Sequence, residues 1–327
     1  MPFLLIMRSI CAPLLTVLVI CATVAQAAAA PKVVVSINPV HALAAGVMTG
    51  VGAPELLVPA AASPHDFALR PSTAKLLADA DLIVWVGGDL EPALAKAIAA
   101  QGPGMNETLG DGAAVLTLID TPGLRIHGYR KNGFWPPAES HDAATDTGRD
   151  PHIWLDPGNA AVIVTLLVET LTRLDPEHGA AYAANGKRLG ARLAALDTEL
   201  DAMLKPMRGK PFIVYHDALQ YFERRYGLMG VGAVTLDPER APGARRLTEI
   251  RRLIAARGVV CIFSEPQSAS AGVLAIAAAT GIRHAALDDI GASIAPGDQP
   301  GEAAYFALMR ALASNLTACL DPDRAGK

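Results

Sequence analysis

Residues 175–204 read DPEHGAAYAANGKRLGARLAALDTELDAML, and this stretch decides the architecture. Asp175-Pro176 is a helix start, with the acid as cap and the proline in the first turn, where no N–H is needed. After it no proline intervenes before Pro206, and Tyr182, Leu189, Leu193, Leu196 and Leu200 recur at helical spacing. A helix over 176–204 would run about 43 Å, enough to bridge two lobes as a stiff strut. Flexible linkers are Gly/Ser-rich or scattered with proline, and this segment is neither.

On both sides of the strut, short β-branched runs alternate with Ala/Leu-rich amphipathic stretches. In the first half, 32–37, 55–59, 82–86 and 114–119 read as strands, and 39–48, 72–80 and 90–100 as helices. In the second half, 211–215, 230–234, 259–263 and 284–287 read as strands, with helices over 243–257, 269–280 and 302–320. Such alternation predicts an α/β fold, each lobe a mainly parallel sheet flanked by helices. The lobes would cover 31–174 and 205–327, joined by the helix at 175–204. Two domains also suit a chain of 327 residues. The stretch 121–149 breaks the pattern with Gly, Pro, Asn, Asp and His, and reads as a long solvated loop.

Ahead of the first lobe, Arg8 precedes an apolar run, and Ala25-Gln26-Ala27 offers a small-x-small cleavage site. Residues 1–27 therefore read as a cleaved signal peptide rather than a membrane span, for which the run is short. Its loss would take the formal charge from −4 to −5 by removing Arg8. With no dense basic run and 5% aromatic residues, neither a nucleic-acid face nor a base-stacking platform is expected. Export also leaves only Cys261 and Cys319. A pair in an oxidising compartment points to a disulfide between the last helix and a lobe-two strand, with two buried thiols the alternative.

Of eight histidines, His41, His178 and His284 sit where a structural or solvated role suffices. His65, His152 and His216 do not. His65 follows an apolar strand, His152 lies between the loop and a capped helix, and His216 closes the strand that opens lobe two. Ligands in open α/β sheets collect at the carboxyl ends of strands, so these imidazoles could converge in the crevice between lobes. Asp288 ends a lobe-two strand in the same manner. Spacing alone leaves a metal site and a merely structural role equally open.

The flanking residues add a resemblance. Ser-Pro-His65-Asp-Phe-Ala-Leu-Arg-Pro-Ser, then Asp-Pro-His152-Ile-Trp-Leu-Asp-Pro, Tyr-His216-Asp-Ala, Phe-Ser-Glu265-Pro-Gln and Leu-Asp288-Asp-Ile-Gly occur in this order. The pattern resembles the cluster A-I metal-binding proteins of ABC transporters over essentially the whole chain after the leader. The resemblance implies a monomeric periplasmic protein, not an enzyme, that holds metal between its lobes and surrenders it to a membrane permease. Within that family, histidine at the position of His216 marks the zinc members, the ZnuA-like proteins, so the implied ligands of Zn²⁺ are His65, His152, His216 and Asp288. The Cys261–Cys319 bridge also matches a disulfide found in some of them. Imidazole suits zinc, whereas manganese draws on more carboxylate oxygen.

Two departures stand out. Pro64 occupies a place where some zinc members carry Glu, so the fourth position falls to Asp288 or water. The 121–149 loop offers only His127 and His141, with Glu139, Asp142 and Asp146, where relatives often hold a histidine-rich tract. Glu265 reads as an interlobe or ligand-supporting group, Glu91 as a lobe-surface residue facing the permease, and Trp85 and Trp154 as packing residues. Three alternatives remain at this level: a manganese or iron protein of the same fold, an exported zinc hydrolase, and an adhesin on this scaffold.

Overall fold

In the computed structural model, described over residues 29–99, 113–130, 133–135, 148–268, 271–294, 301–321 and 323, the chain forms two four-stranded parallel sheets. The first comprises β1 (Val33–Val35), β2 (Glu55–Leu56), β3 (Leu82–Trp85) and β4 (Ala114–Thr117) in the order β2-β1-β3-β4. The second comprises β5 (Pro211–Val214), β6 (Met229–Ala233), β7 (Cys261–Ser264) and β8 (Arg283–Ala286) in the order β6-β5-β7-β8. Helices α1 (Asn38–Val47), α2 (Pro71–Ala78) and α3 (Pro92–Ala99) accompany the first sheet. Next come α4 (Pro157–Leu174) and the long α5 (Gly179–Leu204), then α6 (Gln220–Tyr226), α7 (Ala244–Arg257), α8 (Ala271–Thr280) and α9 (Ala303–Leu320).

The inner strands are short hydrophobic runs because helices cover both their faces; β1, β3 and β7 are buried along their whole length. Strand order reverses between β1 and β3 and again between β5 and β7, so each lobe has a crevice at its carboxyl edge. Helix α4 begins where the sequence says it should: Asp156 accepts from the Gly158 N–H, and Pro157 occupies the first turn.

The strut divides into a 3₁₀ turn, Pro176–His178, followed by the 26-residue α5. Its buried stripe is Tyr182, Leu189, Leu193, Leu196, Leu200 and Leu204, and the helix packs along α4, α1 and α9. One face of it is packed into the core while the opposite face is open to solvent, so it is a spine laid along the core. Strand β2 is shorter than its apolar run because Pro59 ends it, although Leu57 and Val58 still donate to Val35 and Ser36. A disulfide between Cys261 and Cys319 ties α9 to β7.

The expectation of a solvated loop over 121–149 is corrected for its described residues. The Trp135 N–H donates to the Val231 carbonyl at 2.9 Å, and the Gly133 carbonyl accepts from Ala233 at 3.0 Å. Phe134 pairs antiparallel with Gly232, so three residues cover the otherwise open edge of β6. Arg130 stacks 3.3 Å over the Trp135 ring and forks onto Asp217 and Glu223 of lobe two. Trp135 is 2% exposed, and the Arg130 side chain 8%. His141, Glu139, Asp142, Asp146 and the leader lie outside the described residues.

Candidate metal centre

Three histidines reach one point from three loops. His65 stands on the turn after β2, His152 opens the 3₁₀ turn Ile153–Leu155, and His216 lies two residues past the end of β5. Ring centroids are 5.6 Å apart for His65–His152, 5.7 Å for His65–His216 and 5.2 Å for His152–His216. One ring nitrogen from each lies within 4.8 Å of the others. Nε2 of His152 and Nε2 of His216 are 3.3 Å apart. A tetrahedral zinc with nitrogens at about 2.0–2.1 Å has edges of about 3.3 Å, so two corners already stand at the right separation.

Each of these two rings is held from behind by a carboxylate. Asp150 Oδ1 meets His152 Nδ1 at 2.8 Å, and Glu265 Oε1 meets His216 Nδ1 at 2.5 Å. An ionised carboxylate only accepts, which places a proton on Nδ1 and makes Nε2 the atom each ring turns to the crevice. Asp150 is itself fixed across the lobes, since Gln220 Nε2 donates to its Oδ2 at 3.0 Å and the Tyr221 hydroxyl to its carbonyl at 2.7 Å. Ser268 donates to Glu265 Oε2 at 3.0 Å. Glu265 thus supports a ligand of its own lobe and is not an interlobe group.

Electrostatics separate the rings. Burial, together with the neighbouring His152 and His216, pushes the His65 pKa down to about 2. Burial opposes charge on His216 too, but Glu265, then Asp289 and Asp217, outweigh it and raise the pKa to about 9. The crevice therefore pairs an imidazole whose burial favours the neutral form with one whose proton an incoming cation must displace.

Asp288 is not where the sequence suggested. Its Oδ1 accepts from the N–H groups of Ile290, Gly291 and Ala292, at 3.2, 2.7 and 2.9 Å. Its Oδ2 accepts from the Ser293 N–H at 2.7 Å and from the Ser293 hydroxyl at 2.5 Å. With five donors it anchors the turn after β8, and it does not line the metal cavity. Asp289 does, beside Leu90, Trp154 and Gln267. Gln267 Nε2 donates to Asp289 Oδ1 at 2.7 Å, and the Trp154 indole donates across the lobes to the Asp289 carbonyl at 2.8 Å. Asp289 remains outside the 4.8 Å set of the three histidines. The cavity is about 10 Å³, room for one water-sized sphere.

Glu91 is corrected as well. It is 1% exposed, and its Oε2 accepts from the N–H groups of Val86 and Gly87 at 3.0 and 3.1 Å. Such a residue cannot face a permease. The other histidines are held elsewhere: His41 by the Pro54 carbonyl, His178 by Asp175, His284 by Ser264, and His127 against the Tyr221 ring. Trp85 bonds Thr117 within its own lobe. Sequence reading missed Asp150, Asp289, Gln220 and Gln267. Asp150 had a usable signal, two residues before His152, while the choice between adjacent aspartates had none.

Fold and site together define a two-lobed α/β binding protein whose crevice offers three imidazoles to a cation. The family profile "Zinc-uptake complex component A periplasmic" matches residues 33–319. The chain belongs to this family, ZnuA. It is 38% identical over 319 residues to the high-affinity zinc uptake system protein ZnuA of Brucella abortus (strain 2308), covering 88% of this chain and 91% of that one. To the protein of the same name from Paracoccus denitrificans (strain Pd 1222) it is 36% identical over 314 residues, covering 90% and 93%. Among solved structures, a crystal structure of ZnuA superposes with a TM-score of 0.73 at 24% identity, over 89% of this chain and all of that one. The laminin-binding protein Lmb of Streptococcus agalactiae has a TM-score of 0.69 at 24% identity, over 88% of this chain and 99% of that one. That likeness is one of fold.

Proposed function

We propose that this protein captures Zn²⁺ in the crevice and delivers it to the permease of an ABC importer. It would work as a monomer exported by its leader (1–27), with lobes at 31–174 and 205–327 about the 175–204 helix. His65, His152 and His216 are the proposed nitrogen ligands, and Asp289 takes the place first expected of Asp288. The observation carrying this reading is the 3.3 Å separation of the two Nε2 atoms, each ring backed by a carboxylate. Three neutral imidazoles and one carboxylate leave a net charge of +1 around the ion, which Asp150 and Glu265 offset from behind. Imidazole at His216 favours zinc over manganese.

Capture of an ion is supported by the size of the cavity between the histidines, which is that of a single ion or water. Binding takes the proton from His216 Nε2 while Glu265 retains the one on Nδ1. Because the donors come from both lobes, the loaded crevice is a closed one, and release requires the loops bearing His65 and Asp289 to move. Competitive zinc titration against a chromophoric chelator tests the reading. His152→Ala and His216→Ala should each cost more than the roughly 10–100-fold typical of losing an outer-sphere partner. Unchanged affinity in either variant would overturn it.

A further inference from the structure

Gln267 sits on the wall between two cavities. It lines the metal cavity and also a cleft of about 460 Å³ that opens beside it, lined by Ser63, Asp66, Arg70 and Glu239 among others. Its amide nitrogen donates to Asp289 Oδ1 at 2.7 Å, while its buried Oε1 has no hydrogen-bond partner among the described residues. A side chain leaving one buried polar atom unmatched loses free energy that must be recovered elsewhere. Its other end shows where. Gln267 occupies one oxygen of Asp289, and among the described residues no donor reaches the second oxygen.

We infer that Gln267 determines metal selectivity by keeping Asp289 a one-oxygen ligand. The inference rests on the reading of His65, His152, His216 and Asp289 as the ligand set. Zinc is satisfied by four donors in a tetrahedron. Manganese prefers more oxygens in an octahedral arrangement, and a carboxylate that turns both oxygens to the ion is the simplest way to supply one. The amide N–H holds Oδ1 at 2.7 Å on the Gln267 side, so turning both oxygens to the ion would stretch or break that bond. Asp289 is thereby biased to give one oxygen and close the crevice at four donors. The amide nitrogen faces the carboxylate and Oε1 points away, the orientation that suits a carboxylate ligating a cation, which carries no proton and can only accept. Gln267 is thus a positioning residue that acts through Asp289.

Gln267→Met keeps the length of the side chain and removes the donor, and Gln267→Glu keeps the length and substitutes an acceptor. Loading each full-length protein with Co²⁺ reads coordination number directly, since four-coordinate cobalt absorbs far more strongly in the visible than five- or six-coordinate cobalt. The wild type should show the intense bands, and both variants should lose most of that intensity. The ratio of zinc to manganese affinity should fall by about 10–100-fold, the range for losing an outer-sphere partner of a ligand. In an Asp289→Ala background the Gln267 substitution should change neither readout, because a residue acting only through another adds nothing once that partner is gone.

Unchanged cobalt intensity and selectivity in either folded variant would overturn the inference. An effect that persists at full size in the Asp289→Ala background would overturn it too. Weak bands in the wild type, or intense bands surviving His152→Ala, would instead overturn the underlying ligand set, and the two failures are therefore distinguishable.

Discussion

Glu91→Gln should stabilise the metal-free protein at alkaline pH and lose that advantage in acid. The side chain is buried under the carboxyl end of β3. Burial raises its pKa from 4.5 to about 7, with the N–H groups of Gly87 and Val86 holding the rise in check. A folded state that keeps a proton the unfolded chain would release is stabilised by acid. Stability therefore falls as pH rises from about 4.5 to about 7, and above that the full cost of the buried charge persists. At about 1.36 kcal/mol per pH unit the interval amounts to about 3 kcal/mol.

Glutamine accepts the same two N–H bonds through its carbonyl and never carries the charge. Any constant cost of placing its NH₂ where Oε1 has no partner among the described residues cancels when two pH values are compared. Urea denaturation of wild type and variant, at pH near 4.5 and near 8 with equal slopes, gives the quantity directly. The stability difference between them should move by about 3 kcal/mol in the variant's favour on going to the higher pH. A difference that stays constant across that range would refute the buried-acid reading and restore Glu91 to the surface.

Zinc affinity should fall steeply between pH 7.5 and 5.5, because protons and zinc compete for the same imidazole nitrogens. The raised pKa of His216 extends that competition up to about 9. Calorimetric titrations giving equal affinities at the two pH values would exclude the histidine ligand set. Arg130→Met strands Asp217 and Glu223 in a buried site, and breaking a buried pair from one side costs about 3–5 kcal/mol; a loss under about 1 kcal/mol in chemical denaturation would show the Arg130 ion pairs to contribute no more than surface ones. Asp289→Ala should weaken zinc binding with little change in melting temperature. Asp288→Ala should do the reverse by undoing five hydrogen bonds at the turn, and the opposite pattern in paired titration and melting experiments would reinstate Asp288 as the ligand.

Much of the fold could be read because its signals are local. A cap such as Asp156 before Pro157, an apolar stripe on α5 and a β-branched run in β1 each concern residues a few positions apart. Periodicity resolves such features without knowledge of the partner they pack on. Boundaries were read less well where a neighbour intervenes. The run at 114–119 ends as a strand at Thr117 and turns into a 3₁₀ segment, Leu118–Asp120.

Placement of three histidines at loops flanking sheet edges was likewise legible, since a strand's carboxyl end is a position along the chain. Their meeting in one crevice was foreseeable from the α/β alternation and from the motifs around them. What lay beyond the sequence were choices made by contact between distant segments. Asp288 and Asp289 are identical side chains one residue apart, and only the curl of backbone N–H groups from Ile290 to Ser293 turns one inward to the turn and leaves the other on the cavity wall. Glu91 looks like any helix-proximal acid until two N–H groups at the end of β3 claim it. Arg130 reads as one charge in a polar loop, yet lobe two supplies both of its carboxylates from 87 and 93 residues away. Local order is encoded by neighbours along the chain, whereas the partner of a polar group is settled by which surfaces the fold presses together.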